Sequence, residues 1–198
     1  MTTVVVPFAG SEGKTRLDAP RSTRRELSLA MLADVLAAAV VVGRTLVVTA
    51  DAAGAALAGE AGAEPVADPG GGQGAAVTAA LELEGDGQVL VVNADLPCVV
   101  PVDLRALLAA IPSHGLALVE ALDGTTNALG LSAAEVFAPL YGPNSASRFR
   151  ALPVETVAVA VPNLAEDVDT LADLERLQLR CGPRTQAALA ALSAGTAQ

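Results

Sequence analysis

The segment Val91-Val92-Asn93-Ala94-Asp95-Leu96-Pro97 ends an apolar run, Gln88 to Val92, in a polar turn holding one carboxylate and a proline. In an open parallel sheet, ligands bind in the crevice outside the carboxyl ends of the strands. A carboxylate there suits a divalent cation held against a nucleotide phosphate, because Mg2+ takes oxygen ligands and usually binds through one or two carboxylates. Asp95 equally suits a helix N-cap, where Asp is common. Glu166-Asp167-Val168-Asp169-Thr170 poses the same choice, with Asp169 as a helix cap or a second metal carboxylate.

Positive charge gathers elsewhere. The formal net charge is −10, which argues against nucleic-acid binding. Arg105 is the only cationic residue between Thr45 and Ser147, whereas Lys14, Arg16, Arg21, Arg24 and Arg25 crowd one short segment. Lys14 is the only lysine. An acidic protein that concentrates positive charge at one loop is suited to receive an anion there. Arg24 and Arg25 fit a solvated helix face instead. The loop Pro7 to Leu17 carries Gly10 and Gly13, which permit unusual backbone angles, and Lys14, a point charge. It matches neither GxxxxGK[ST] nor GxGxxG.

Pro69 to Gly74 has four glycines in six positions. Such a loop lets a base or ribose approach the backbone, or is a flexible surface turn. Asp123 to Leu129 and Tyr141 to Phe149 gather hydroxyls, amides, glycine backbone and Arg148. These donors suit a phosphate or carboxylate, although two polar turns would look the same. The single histidine, His114, lies in a turn and receives no role, so no Ser/His/Asp or Cys/His set is expected. Cys98 and Cys181 without a CxxC form neither a zinc site nor a disulfide framework. Both are expected to be buried or half-buried.

The elements that must position these residues alternate. Apolar runs at Thr2–Phe8, Leu46–Thr49, Glu64–Ala67, Val89–Val92, Leu116–Ala121, Ala128–Leu131 and Val154–Val161 predict strands. Thr23-Arg24-Arg25-Glu26 has capping-box spacing for a helix running to about Val40. Helices are also expected at Asp51–Gly59, after Gly74 to about Leu83, from Pro101, from Asp169-Thr170, and after Gly182-Pro183. This alternation predicts an α/β domain with a mostly parallel sheet. The 198 residues, 52% hydrophobic and 2% aromatic, suit one domain over residues 1–198. The longest apolar run in a helical region, Val35 to Val42, is too short to cross a bilayer. No basic segment precedes an apolar one at the N-terminus, so no signal peptide is expected and the cytoplasm is the expected location.

In this order the features resemble the guanylyltransferases of coenzyme F420 biosynthesis, within the nucleotidyltransferases that include the molybdenum-cofactor guanylyltransferases. The resemblance runs through Lys14-Thr15-Arg16-Leu17, the glycines at 70–74, Ala94-Asp95-Leu96-Pro97, Thr126-Asn127-Ala128-Leu129, Gly142-Pro143-Asn144-Ser145 and Asp167-Val168-Asp169-Thr170. It implies a single-domain, Rossmann-like nucleotidyltransferase fold that joins GMP from GTP to phosphoenolpyruvate or 2-phospho-L-lactate, releasing pyrophosphate. It assigns catalysis to Lys14, Arg16 and Asp95, and nucleotide binding to Pro7, Gly71, Gly72, Gln73 and Gly74. It assigns acceptor binding to Thr126, Gly142, Ser145 and Arg148, and Mg2+ to Asp95 and Asp169. A downstream F420-pathway transferase is the implied partner for the unstable product.

Pro7-Phe8-Ala9 stands where the bacterial branch commonly has Pro-Val-Lys, in a loop one residue shorter, as in archaeal members. Gly182-Pro183-Arg184-Thr185 resembles the bacterial branch and points to phosphoenolpyruvate as acceptor, ahead of 2-phospho-L-lactate or 3-phosphoglycerate. The absence of a Gly-rich signature at residues 8–14 argues against a molybdopterin acceptor. Retention of Lys14, Asp95 and Asp169 together argues against a silent nucleotide-binding regulatory domain.

Overall fold

The structure, a computed structural model, describes residues 2–10, 17–83 and 87–195. Lys14 and Arg16 lie outside the described residues. Seven strands form one sheet: β1 (Thr3–Pro7), β2 (Arg44–Thr49), β3 (Glu64–Ala67), β4 (Val89–Val92), β5 (Gly115–Glu120), β6 (Thr126–Leu131) and β7 (Glu155–Ala158). Their order is β3-β2-β1-β4-β6-β5-β7. The helices are α1 (Arg21–Ala39), α2 (Ala52–Glu60), α3 (Gln73–Leu81), α4 (Pro101–Ala109), α5 (Ser145–Arg150), α6 (Pro162–Ala165), α7 (Leu171–Leu177) and α8 (Pro183–Gly195).

The expected α/β sheet is present, with one reversal. β1 pairs parallel with β2 and β4, β2 with β3, and β5 with β7. β6 runs antiparallel to both β4 and β5. The first residues of β6 therefore stand at the same sheet edge as the last residues of β4, with Val92 opposite Ala128. The chain also changes direction across the sheet between β1 and β4. β2 and β3 lie to one side of β1 and β4 to the other, which is the arrangement that opens a crevice at the strands' carboxyl ends.

The Val-rich strands are buried on both faces, as parallel strands between helices are. Val4, Val6, Val47, Leu90 and Val92 join Leu32, Val35 and Leu36 of α1 in one layer. Val5, Leu46, Val48 and Val91 join Ala76, Val77 and Ala80 of α3 in the other. Successive strand residues serve opposite faces because a strand's side chains alternate. A third cluster packs Leu17, Leu27 and Met31 against Cys98, Val168, Leu174, Leu177 and Cys181. Both cysteines are buried, as expected, with sulfurs 4.0 Å apart.

Some helix starts differ from expectation. α1 begins at Arg21 after Pro20 (φ −52°, ψ 151°), without a side-chain cap. The earlier start places Thr23 inside the first turn, so the Thr23–Glu26 capping box does not form. α4 begins at Pro101 with Val100 as N-cap, too far along the chain for Asp95 to cap it. α7 is capped by Thr170, whose hydroxyl accepts from Asp173 N while the Asp173 carboxylate accepts from Thr170 N. Asp169 is therefore not the cap. The late strand is shorter than Val154–Val161, because Val161 caps α6 and Pro162 opens it.

The last helix is held from a distance. The buried Asp34 carboxylate on α1 accepts the backbone N–H of Arg184 at 3.0 Å and of Thr185 at 2.8 Å. No helix among the described residues is long and apolar enough to cross a membrane.

Candidate active site

At the crevice between β1 and β4, a cleft of about 250 Å³ is lined by Pro7–Gly10, Ser28, Met31, Asp68, Gly72, Gln73, Ala76 and Asn93–Asp95. The end of β1 and the turn after β4 both contribute to its lining. The glycine loop reaches the cleft through Gly72, with Gly70, Gly71 and Gly72 at φ of 78°, 88° and 88°, a region that side-chain-bearing residues rarely adopt. Gly72 then caps α3 and Gln73 opens it. Of the residues expected to bind nucleotide, Pro7, Gly72 and Gln73 line this cleft, and Gly71 and Gly74 are not among its walls. Gly74 instead allows close packing, since a Cβ there would lie 2.8 Å from that of Pro139.

Asp95 lines this cleft and also belongs to a carboxylate cluster. One carboxylate oxygen each from Asp95, Asp167 and Asp169 lies within 4.8 Å of the others. Two backbone features bring them together. Val168 N donates to Asp95 O at 3.1 Å, tying the segment before α7 to the turn after β4. Val168 is buried while its two neighbours are half-buried, so both aspartates stand on the side away from the core. Asn127, at the start of β6 and 1% exposed, donates Nδ2 to Asp167 Oδ1 at 3.2 Å.

Burial first, and then the Asp95 charge, push the Asp167 carboxyl above the usual carboxylate range; the Asn127 hydrogen bond acts in the opposite direction. Three hard oxygen donors crowded in this way suit Mg2+ or a similar divalent cation. Asp167 was not singled out as a ligand from the sequence. Its Asp-x-Asp spacing with Asp169 was the available signal, because residues two apart share a face in extended chain.

On the far side of β6 lies the expected acceptor pair. Ser145 Oγ donates to Thr126 Oγ1 at 3.1 Å, and both residues are buried. The loop before Ser145 needs unusual backbone, with Gly142 at φ 112° and Asn144 at φ 57°. Phe137, Tyr141 and Phe149, three of the four aromatic residues in the chain, pack behind it with ring centroids 5.5–6.5 Å apart. Arg148 is turned onto its own loop, donating Nη2 to Tyr141 O at 3.0 Å and Pro143 O at 3.1 Å.

Sequence reasoning also missed Ser28. It lies on α1 in the cleft wall, 3% exposed, and its hydroxyl has no hydrogen-bond partner among the described residues. The helical periodicity around it marks a buried face but not a polar task.

Residues 2–149 match the family described as guanylyl transferase CofC like. The chain belongs to this family. Relatives include the phosphoenolpyruvate guanylyltransferase of Streptomyces coelicolor, 38% identical over 206 aligned positions, covering 96% of each chain. That of Nocardia farcinica is 40% identical, covering 84% of this chain and 79% of the relative. Among solved structures, a putative nucleotide-diphospho-sugar transferase from Desulfovibrio desulfuricans G20 superposes with a TM-score of 0.76 at 17% identity, covering 98% and 95% of the two chains. Rv0371c of Mycobacterium tuberculosis, in complex with manganese, gives 0.55 at 21% identity, covering 89% and 96%. These two share the fold. The CofC-like match ends at residue 149, before Asp167 and Asp169, whereas the Streptomyces relative covers nearly the whole chain.

Proposed function

We propose that this protein transfers GMP from GTP to phosphoenolpyruvate, releasing pyrophosphate, as a step of coenzyme F420 biosynthesis in the cytoplasm. The observation that carries the reading is the double position of Asp95. It lines the cleft and also belongs to the three-aspartate cluster. A nucleotide phosphate held in the cleft can therefore meet a reacting group held at the cluster.

The acceptor phosphate attacks the α-phosphorus of GTP in line with the departing pyrophosphate. A phosphoryl-type transfer of this kind needs positioning and charge neutralisation more than covalent chemistry. Asp95, Asp167 and Asp169 fit Mg2+, which when bound screens the two anionic reactants from each other. Gly72 and Gln73 lie against the nucleoside. Thr126 and Ser145 hold the acceptor phosphate through their hydroxyls, with Gly142 providing backbone approach and Arg148 bracing the loop. Lys14 and Arg16, outside the described residues, neutralise the β- and γ-phosphates by virtue of their charge and their place after β1.

The identity of the relatives supports phosphoenolpyruvate as the acceptor, since those at 38–40% identity carry that name. A receiving transferase then consumes the unstable product. The deciding experiment is pyrophosphate release from GTP with Mg2+ and, separately, phosphoenolpyruvate, 2-phospho-L-lactate or 3-phosphoglycerate. Turnover fastest with phosphoenolpyruvate is expected. Inertness toward all three overturns the reading.

A further inference from the structure

Three amide side chains link the cleft to the aspartate cluster. Gln73 Nε2 donates to Asn93 Oδ1 at 2.6 Å. Asn93 Nδ2 reaches Asn127 Oδ1 at 3.4 Å, and Asn127 Nδ2 donates to Asp167 Oδ1 at 3.2 Å. The chain crosses four parts of the fold: the start of α3, the end of β4, the start of β6 and the segment before α7. Its middle is fixed by the sheet, since Asn93 N also donates to Asn127 O at 3.0 Å.

The direction of the chain follows from its last member. Oxygen and nitrogen of one amide are hard to tell apart, and are assigned from the hydrogen-bond network. Here the carboxylate decides, because an ionised Asp only accepts. Asn127 must turn its NH2 to Asp167, so its carbonyl faces Asn93. Asn93 must then present its own NH2 to Asn127 and its carbonyl to Gln73. The Gln73 NH2 is engaged in turn through one N–H, and its carbonyl takes no part in the chain. Gln73 lines the cleft. Hydrogen bonds aligned head to tail polarise one another, each strengthening the next.

We propose that this amide chain positions Asp167 as a cation ligand and couples cation affinity to occupancy of the cleft. It rests on the three aspartates being the cation site of the proposed transferase. Asn127 is the positioning residue, since it touches the carboxylate. A nucleoside N–H or O–H donated to the Gln73 carbonyl strengthens the chain and steadies Asp167. By linkage, a cation on Asp167 tightens nucleoside binding by the same factor.

The test uses the full-length protein, Mn2+ as the cation and guanosine as the nucleoside, with Mn2+ binding read by electron paramagnetic resonance. Guanosine has no phosphate, so it cannot ligate the cation as GTP would. Guanosine is expected to tighten Mn2+ binding about fivefold, the low end of typical couplings. Asn127→Ala is expected to weaken Mn2+ binding roughly 10- to 100-fold, as loss of a partner that orients a metal ligand does. Asn93→Leu leaves the Asn127–Asp167 contact but cuts the chain, so Mn2+ still binds and guanosine no longer changes its affinity.

Wild-type Mn2+ affinity in Asn127→Ala overturns the proposal. So does a guanosine effect that survives in Asn93→Leu, or none in the wild type. If thermal unfolding shows Asn127→Ala to be unfolded, Asn93→Leu decides alone. Failure of guanylyl transfer itself appears separately, as absence of pyrophosphate release from GTP by the unmodified protein.

Discussion

The hydroxyls of Thr126 and Ser145 lie 3.1 Å apart in the folded protein, one at the start of β6 and the other at the start of α5. Both are buried, and the Ser145 hydroxyl donates to that of Thr126. In the proposed acceptor role, a phosphate entering between them would replace one neutral contact with two charge-assisted ones.

Removing either hydroxyl should therefore damage acceptor binding first. Hydrogen bonds to charged groups contribute about 1.5–3 kcal/mol, so Ser145→Ala and Thr126→Val should each raise KM for phosphoenolpyruvate roughly tenfold or more. KM for GTP should change much less. Steady-state kinetics with each substrate varied in turn checks this, and equal effects on both would mean the pair is not a dedicated acceptor site.

Asp95→Asn should nearly abolish turnover while leaving the unfolding midpoint close to wild type. The amide keeps the size and one acceptor oxygen but loses the charge that, in the proposed role, would draw the cation. α4 has its own start at Val100 and Pro101, so no helix cap is lost. Wild-type turnover at limiting Mg2+ would remove Asp95 from the site.

The Asp167 carboxyl gives a pH dependence with a definite sign. Its folded-state value is raised, chiefly by burial and then by Asp95. A raised carboxyl contributes stability below its unfolded value, near 3.9, and that contribution is lost as pH rises through the raised value. A cation that binds the ionised cluster reverses this loss. The rise in unfolding temperature on adding Mg2+ should thus be larger at pH 7.5 than at pH 5. Asp167→Asn should unfold at a higher temperature than wild type at pH 7.5 without metal, and should respond less to it. Calorimetric scans at the two pH values measure both effects.

Asp34→Ala should lower stability without altering the chemistry. It strips two backbone N–H groups at the start of α8 of their acceptor. Unsatisfied buried donors cost about 1–3 kcal/mol. Asp34→Asn retains one oxygen and should fall between. Denaturant unfolding gives the loss, and turnover per folded molecule should stay at the wild-type level.

Lys14→Ala should depress turnover and GTP affinity together, and Lys14→Arg should rescue only part, since a planar fork does not replace a compact point charge. This expectation comes from the sequence alone. Kinetics beside Arg16→Ala separates the two cations, and an unimpaired Lys14→Ala enzyme would transfer the role to Arg16.

The sequence by itself determined the strands, most of the helices and the polar turn that carries Asp95. Those features are local: alternation, apolar runs, glycine and proline act over a few residues, and their physics is the same wherever the segment ends up. The glycine loop at residues 70–74 and the two polar segments holding Thr126 and Ser145 were legible for the same reason, as short patterns of residue type. What only the tertiary structure decided was which of two local roles each aspartate takes. Asp95 and Asp169 could each have capped a helix; Val100 and Thr170 do so instead, and the aspartates are left to face each other. The reversal of β6 then brings Asn127 to Asp167, 40 residues away. Asp34 meets Thr185 across 151 residues in the same way. Such contacts depend on strand order and on the packing of α7 and α8 against α1, and no window of sequence contains both partners.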